Sequence, residues 1–425
     1  MTEWLETDGL GGFAMGTADG IRTRRYHALL LAATAPPEGR MVLVADLEVF
    51  VETAGGRFSL SSHRYRGETI YPDGATLITK FEHTPWPRWE WTLPDGETVI
   101  ACELVVGHGS GRTALRWTRL AGSAPSLHVQ PLLAPRDYHS THHENGSFRF
   151  EPDVQGELVS WRPYQGVPAI SVLANALYQH SPDWYRNFEL RDEAERGLDS
   201  LEDCASPGVF TFDLGAGPAA MVLGVGVIEG SATVTAEKLF TSEQQRRTRL
   251  GTPLARAADT YLVARGRGKT IVAGYPWFAD WGRDTFISLR GLCLATGRRD
   301  DARAILLQWA SVVDGGMLPN RFDEHSATPE YNSVDAALWY VIAAAAFLEG
   351  STDREDRAKI ETAIAAIVDG YRKGTRHGIR ADADGLIAAG VPGSQLTWMD
   401  AKIGDDVITP RIGKPVEIQA LWINA

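Results

Sequence analysis

The feature that most restricts the fold is a change of periodicity near residue 235. Before it, the chain is a succession of short apolar or alternating runs: 41–51, 98–106, 127–132, 169–173, 210–214 and 220–225. Turn residues punctuate them, at Ala54-Gly55-Gly56, Pro94-Asp95-Gly96, Glu144-Asn145-Gly146 and Gly215-Ala216-Gly217. Many short strands with such breaks predict an antiparallel sandwich. The more charged stretch 182–203 reads as a helix or a covering excursion. After residue 235 the apolar period becomes helical, over 253–265, 285–296, 300–313, 333–348 and 355–373. In 333–348, Ala337, Tyr340, Val341 and Ala344 share one face. Paired helices joined by loops rich in Gly, Pro, Trp and Asp predict a helical toroid whose loops gather at one end. The expected organisation is therefore a β-sandwich domain over 1–235, a charged linker helix over 236–252 and a helical domain over 253–425.

A chain of 425 residues with 44% hydrophobic content is too long for one small core, so two domains are the natural expectation. The net charge of -12 argues against a nucleic-acid partner, because phosphate binding needs clustered Lys and Arg. Cys102, Cys204 and Cys293 are far apart and odd in number, which suits a reducing, cytoplasmic setting. The opening Met1-Thr2-Glu3-Trp4-Leu5-Glu6 has neither a basic start nor an apolar run, so no signal peptide is expected. No stretch reaches the roughly 20 apolar residues that span a bilayer, so no membrane partner is expected either.

Three loops carry the densest chemistry. The first, Gly274-Tyr275-Pro276-Trp277-Phe278-Ala279-Asp280-Trp281-Gly282-Arg283-Asp284, packs four aromatic rings, two carboxylates and an arginine before a helix. Sugar sites need this mixture: rings stack on C–H faces while charged groups bond hydroxyls. The plainer reading has Asp284 capping a helix that begins at Thr285 and Arg283 pairing with Asp280. The second loop runs Met317-Leu318-Pro319-Asn320-Arg321-Phe322-Asp323-Glu324, then Tyr331-Asn332-Ser333-Val334-Asp335. Asn332 or Ser333 can cap the next helix, and Asp335 falls in its first turn. Spacing alone makes Asp335 a partner of the helix dipole. Its place where a loop meets an apolar helix also suits a carboxyl that protonates a leaving oxygen. The third loop holds Thr397-Trp398-Met399-Asp400, followed by Gly413-Lys414-Pro415-Val416-Glu417 at a helix start. Glu417 as a dipole partner and Lys414 as a solvated charge are the plain alternatives. All three loops repeat one aromatic-plus-acid formula.

Other signals are weaker. Gly9-Leu10-Gly11-Gly12 lacks a preceding strand and a following Lys-Ser/Thr, and reads as a turn. His139, His142 and His143, flanked by Asp137 and Glu144, match no metal-ligand spacing, so no metal site is assigned. Asn145-Gly146-Ser147 reads as a turn. No cofactor is expected.

At these residues the chain resembles the glycogen debranching enzyme family of bacterial and archaeal type. Glu3–Phe13 and Arg24-Arg25-Tyr26-His27-Ala28-Leu29-Leu30 are similar to its N-terminal domain. Segments 277–287, 331–340, 397–401 and 413–422 are similar to its catalytic domain. The resemblance implies an N-terminal antiparallel β-supersandwich followed by an (α/α)6 toroid. It implies an amylo-α-1,6-glucosidase that removes single glucose stubs from glycogen or a related branched α-glucan by inverting hydrolysis. Asp335 matches the general acid. Asp280, Arg283, Asp284, Asp400 and Glu417 match positions lining the sugar pocket. Trp277, Trp281, Asn320, Arg321, Tyr331, Trp398 and Lys414 join them as candidate substrate-binding residues. The toroid is expected to be incomplete, because the periodicity supplies only about half the helices it needs. Inverting hydrolysis requires two carboxyl groups roughly 6.5–9.5 Å apart. The base is expected beyond residue 425, with Asp323, Glu324 and Asp400 as conceivable substitutes. A glucoamylase- or trehalase-like hydrolase, or a non-catalytic glucan-binding chain, are the alternatives. Oligomeric state is not read from the sequence.

Overall fold

The computed structural model describes residues 2–322 and 328–425. It divides into two compact units: residues 1–35 with 39–251, and residues 36–38 with 252–425.

The first unit is a sandwich of two antiparallel sheets. Among the described residues one sheet has ten strands, with the long strands Glu38–Thr53, Ser126–Asp137 and Leu201–Asp213 adjacent at its centre. The other has eight, with Val99–Gly107, Arg112–Ala121 and Ala219–Val225 in the middle. Side-chain alternation shows what each face does. Leu104, Val106, Leu115, Met221 and Leu223 join Val44, Leu47, Val49 and Val129 in the core between the sheets. Their neighbours Val105, Ala114 and Val222 point the other way and join Ala232, Ala236 and Phe240 of the Ala232–Leu250 helix. The middle of the second sheet is thus covered on both faces, which is why Val99–Gly107 and Ala219–Val225 read as nearly unbroken apolar runs. Residues 236–252, expected as a linker, belong to this packed helix up to Leu250. Gly251, at φ 72°, ends it.

Stretch 182–203 is not helical, apart from one turn at Arg191–Ala194. Its first part, to Glu189, is the end of the strand Leu177–Glu189, paired with Leu201–Asp213 through two register shifts. Its side chains are mainly exposed, so polar residues are compatible with a strand there.

In the second unit, Thr252 caps the helix Pro253–Thr260 by accepting from the Ala255 N–H. The helical reading of 253–265 ran too far. Leu262–Arg265 instead forms a hairpin with Gly268–Ile271, closed by the intervening Gly266-Arg267 turn. The helices Gly282–Leu289, Arg299–Ala310, Ala336–Leu348, Arg354–Lys373 and Val416–Asn424 follow. Ala336–Leu348 is apolar on nearly every face, and a helix of that kind has to be surrounded. It packs against the other four. Phe286 meets Tyr340 and Trp309 edge-on, at 5.0 and 5.3 Å between ring centroids. The Tyr371 hydroxyl donates to the Val334 carbonyl at 2.8 Å, fixing the start of the central helix. Among the described residues no helix is long and apolar enough to cross a membrane.

Candidate active site

The three loops read from the sequence come together in the second unit, and main-chain hydrogen bonds join them. The Gly282 N–H donates to the Asn320 carbonyl at 2.7 Å, and the Asn320 N–H to the Glu330 carbonyl at 2.8 Å. The Val334 N–H donates to the Leu396 carbonyl at 2.8 Å. Position 282 must be glycine, because a Cβ there would lie 2.5 Å from the Pro319 carbonyl oxygen.

Arg283 stands at the centre. The helix begins at Gly282, with Trp281 rather than Asp284 at its N-cap, so Arg283 leaves from the first turn. Its Nε donates to Asp335 Oδ2 at 2.6 Å. Its Nη1 and Nη2 both lie 3.4 Å from Asp400 Oδ2. The other oxygen of Asp335 accepts from the Ser333 hydroxyl at 2.6 Å, and Ser333 Oγ accepts from the Ala336 N–H at 3.1 Å. Ser333 therefore serves the helix start that Asp335 was expected to stabilise, leaving both Asp335 oxygens to side-chain partners. Asp335 is 2% exposed, whereas the Asp400 side chain is 23% exposed and open to a ligand. Burial pushes the Asp284 carboxyl above its ordinary value; Arg283 opposes this and the charges of Asp335 and Asp400 add to it. Burial works against the Arg283 charge, but Asp335, Asp400 and Asp284 outweigh it. One guanidinium thus serves a cluster of three acids.

Rings border this cluster. Phe278 is 48% exposed and meets Trp281 edge-on at 6.0 Å, while Trp398, two residues before Asp400, is 57% exposed. Trp277 is half-buried in the same loop. Asn320 is buried, and among the described residues its side-chain oxygen has no hydrogen-bond partner; the same holds for the Asn332 side-chain oxygen.

Other expected site residues have protein partners. Asp280 is paired with Arg265 rather than Arg283, its oxygens 2.9 and 2.8 Å from Nη1. Arg265 lies over the Phe322 ring at 3.7 Å. Arg321 is paired with Glu330 at 2.9 and 3.2 Å and lies over Trp281. The Tyr331 hydroxyl donates to the Val312 carbonyl at 2.7 Å. Lys414 reaches Asp384 at 2.7 Å and Asp382 at 3.0 Å. Glu417 is held by Arg411, whose hydrogen bond sets the carboxyl below its ordinary range. Arg411 Nη1 also donates to Thr397 Oγ1 at 3.3 Å, tying Glu417 to the Asp400 loop. Sequence reading missed Arg265, Arg411 and Ser333 as partners. Arg265 lay inside an expected helix and nothing local marks Arg411, whereas Ser333 reads as a cap for the next helix, which it is, but not as a partner of Asp335. Asp323 and Glu324 lie outside the described residues.

Among the described residues no three His, Cys, Asp or Glu side chains gather as a metal site. In the first unit, His139 bonds the Tyr26 hydroxyl, and His142 bridges the Asp203 carbonyl and the Tyr164 hydroxyl.

Residues 2–221 match the family described as glycogen debranching enzyme N terminal, and residues 256–425 the family described as amylo-alpha-1,6-glucosidase. The chain is 38% identical over 93 residues to a glycogen debranching enzyme of Saccharomyces cerevisiae, covering 21% of this chain and 6% of that protein. A bacterial glucoamylase complexed with acarbose shares the fold at TM-score 0.52 and 13% identity, over 88% of this chain and 58% of that one. A putative kojibiose phosphorylase from human microbiome gives TM-score 0.50 at 7% identity, over 91% and 58%. The chain therefore spans less than two thirds of each of these proteins.

Proposed function

We propose a reading that proceeds from one premise: the chain belongs to the glycogen debranching enzyme family. In this reading it is a glycoside hydrolase, an amylo-α-1,6-glucosidase that removes single glucose units from branch points of glycogen or a related α-glucan, with inversion. The observation that carries it is Arg283 held between Asp335 and Asp400, beside the exposed rings of Phe278 and Trp398. Asp335 is the general acid. Asp400, Asp284 and Arg283 bond sugar hydroxyls, and Trp281 and Trp398 give a face to the ring. The substrate draws Arg283 from Asp335 toward Asp400 and the sugar, which frees Asp335 Oδ2 to carry the proton. No described residue is given the role of base. The helices packed around Ala336–Leu348 form part of an (α/α)6 toroid, and the three reduced, buried cysteines accord with a cytoplasmic setting.

The test is glucose release from limit dextrin by the natural gene product. Asp335→Asn should lower kcat by roughly 10²–10⁴-fold, the usual worth of a general acid. No release by the wild type, or an unchanged rate in the variant, rejects the reading. Faster cleavage of maltose or trehalose than of α-1,6-linked substrates would assign the site to a glucoamylase- or trehalase-like activity instead.

A further inference from the structure

The turn that carries Trp398 and Asp400 has little to hold it from its own packing. Leu396 and Thr397, just before it, are buried, but residues 401–412, just after it, are exposed or half-buried throughout. Ile403, Ile408 and Ile412 are each more exposed than buried. Apolar burial therefore anchors one end of the turn and not the other. Asp400 does little to place itself, because both of its contacts with Arg283 are 3.4 Å, at the long end for a hydrogen bond.

Side-chain bonds supply the missing anchor, and they meet at Arg411. Its two Nη atoms donate to the two oxygens of Glu417, Nη2 at 2.9 Å from Oε2. This is the bidentate geometry in which an arginine holds a carboxylate most firmly. Glu417 stands in the first turn of the helix Val416–Asn424, whose Ile418 and Leu421 are buried in the core of the second unit. Arg411 Nη1 also donates to Thr397 Oγ1 at 3.3 Å, and the same oxygen accepts from the Met399 N–H at 3.3 Å. One hydroxyl and one guanidinium thus link the main chain of the turn to a packed helix. Two residues beyond Arg411, Gly413 exchanges two main-chain bonds of 2.8 Å with Ala389, which closes the exposed excursion.

We propose that Arg411 is a positioning residue for the sugar site. It acts through Thr397 to set the Trp398–Asp400 turn, so that the ring and the carboxylate meet the sugar together. It does not bond the sugar itself, because both of its Nη atoms are engaged within the protein. The inference rests on the reading of Trp398 and Asp400 as sugar-binding groups. Arg283 and Asp335 are held separately, by the bond between them and by Ser333, so the chemical step should survive when the turn loosens. The signature is therefore in binding. An interaction made equally in the ground and transition states moves KM and leaves kcat.

The test uses the natural gene product with limit dextrin. Arg411→Gln and Thr397→Val should each raise KM roughly tenfold, the low end for one hydrogen bond to a charged group, with kcat within about twofold of wild type. Thr397→Ser restores the hydroxyl and should restore the wild-type KM. The double variant Arg411→Gln/Thr397→Val should be no worse than either single change, because both act through one link. Hydrogen exchange without substrate should quicken at the Met399 amide in Arg411→Gln and Thr397→Val, and stay unchanged over Gly282–Leu289. A role confined to folding would lower the apparent kcat through the active fraction at unchanged KM, and that result overturns the proposal. So does unchanged exchange in Arg411→Gln, or a wild-type KM despite faster exchange. If the wild type releases no glucose, the glucosidase reading falls by itself, and the exchange comparison alone decides whether Arg411 holds the turn.

Discussion

Among single residues, the contrast between Asp280 and Arg283 is the most instructive. They stand three apart in one loop with similar prospects in the sequence, yet their partners differ. Asp280 is buried against Arg265, whose Nη1 also lies 3.0 Å from buried Glu38, so removing the Asp280 charge leaves the guanidinium with one carboxylate instead of two. Asp280→Asn should therefore cost about 1.5–3 kcal/mol of stability in urea unfolding, the worth of a hydrogen bond to a charged group, with KM unchanged in the folded fraction. Arg283→Lys should do the reverse. A lysine cannot serve two carboxylates with a planar fork, so activity should fall with little change in unfolding midpoint. A stable Asp280→Asn with a raised KM would return Asp280 to the sugar pocket. The sequence made the acids and rings of these loops visible. It left their pairings undetermined, because Arg265 and Arg411 reach their carboxylates through folding rather than through a recognisable motif.

For secondary-structure elements, legibility followed burial. Runs buried on both faces, such as Val99–Gly107 and Ala336–Leu348, announced themselves by apolar content. The strand Leu177–Glu189 and the hairpin Leu262–Ile271 did not. The first is held by pairing with exposed side chains outside, and the second is too short to show a period. The ten-stranded sheet also carries charge that no pattern revealed. Glu202 lies between Arg22 and Arg136 and is fully buried. Burial opposes its charge, but the two arginines hold its pKa at about 2. This depressed carboxyl contributes stability above pH ~4.5 that is lost as pH falls toward 2. His63 lies 2.9 Å from Glu48 and 3.5 Å from Asp46. Burial alone would lower its pKa, yet these carboxylates raise it to about 9. Its contribution is complete below pH ~6.5 and is lost as pH rises through about 9. In urea titrations, the fall in midpoint between pH 6.5 and 9 should shrink in His63→Gln; an identical fall in both proteins would refute this account.

On the scale of the whole molecule, the first unit closes at Gly251, because the Ala232–Leu250 helix covers the outer face of its second sheet. A chain ending at residue 251 should stay in solution without aggregating and show a single unfolding transition. One ending at 231 uncovers Val105, Ala114 and Val222 and should aggregate, as light scattering of the two would reveal. Phe240→Ala in the intact chain should cost about 3–5 kcal/mol. In the second unit, the main-chain bonds from Gly282 to Asn320, Asn320 to Glu330 and Val334 to Leu396 have an evolutionary consequence. A residue inserted into any one of the joined loops would shift the others and pull Arg283 off both of its carboxylates. Loop length is therefore closed to variation at this site, and a lineage that changes its preferred sugar must do so by exchanging side chains, with the exposed rings at 278 and 398 the positions freest to change.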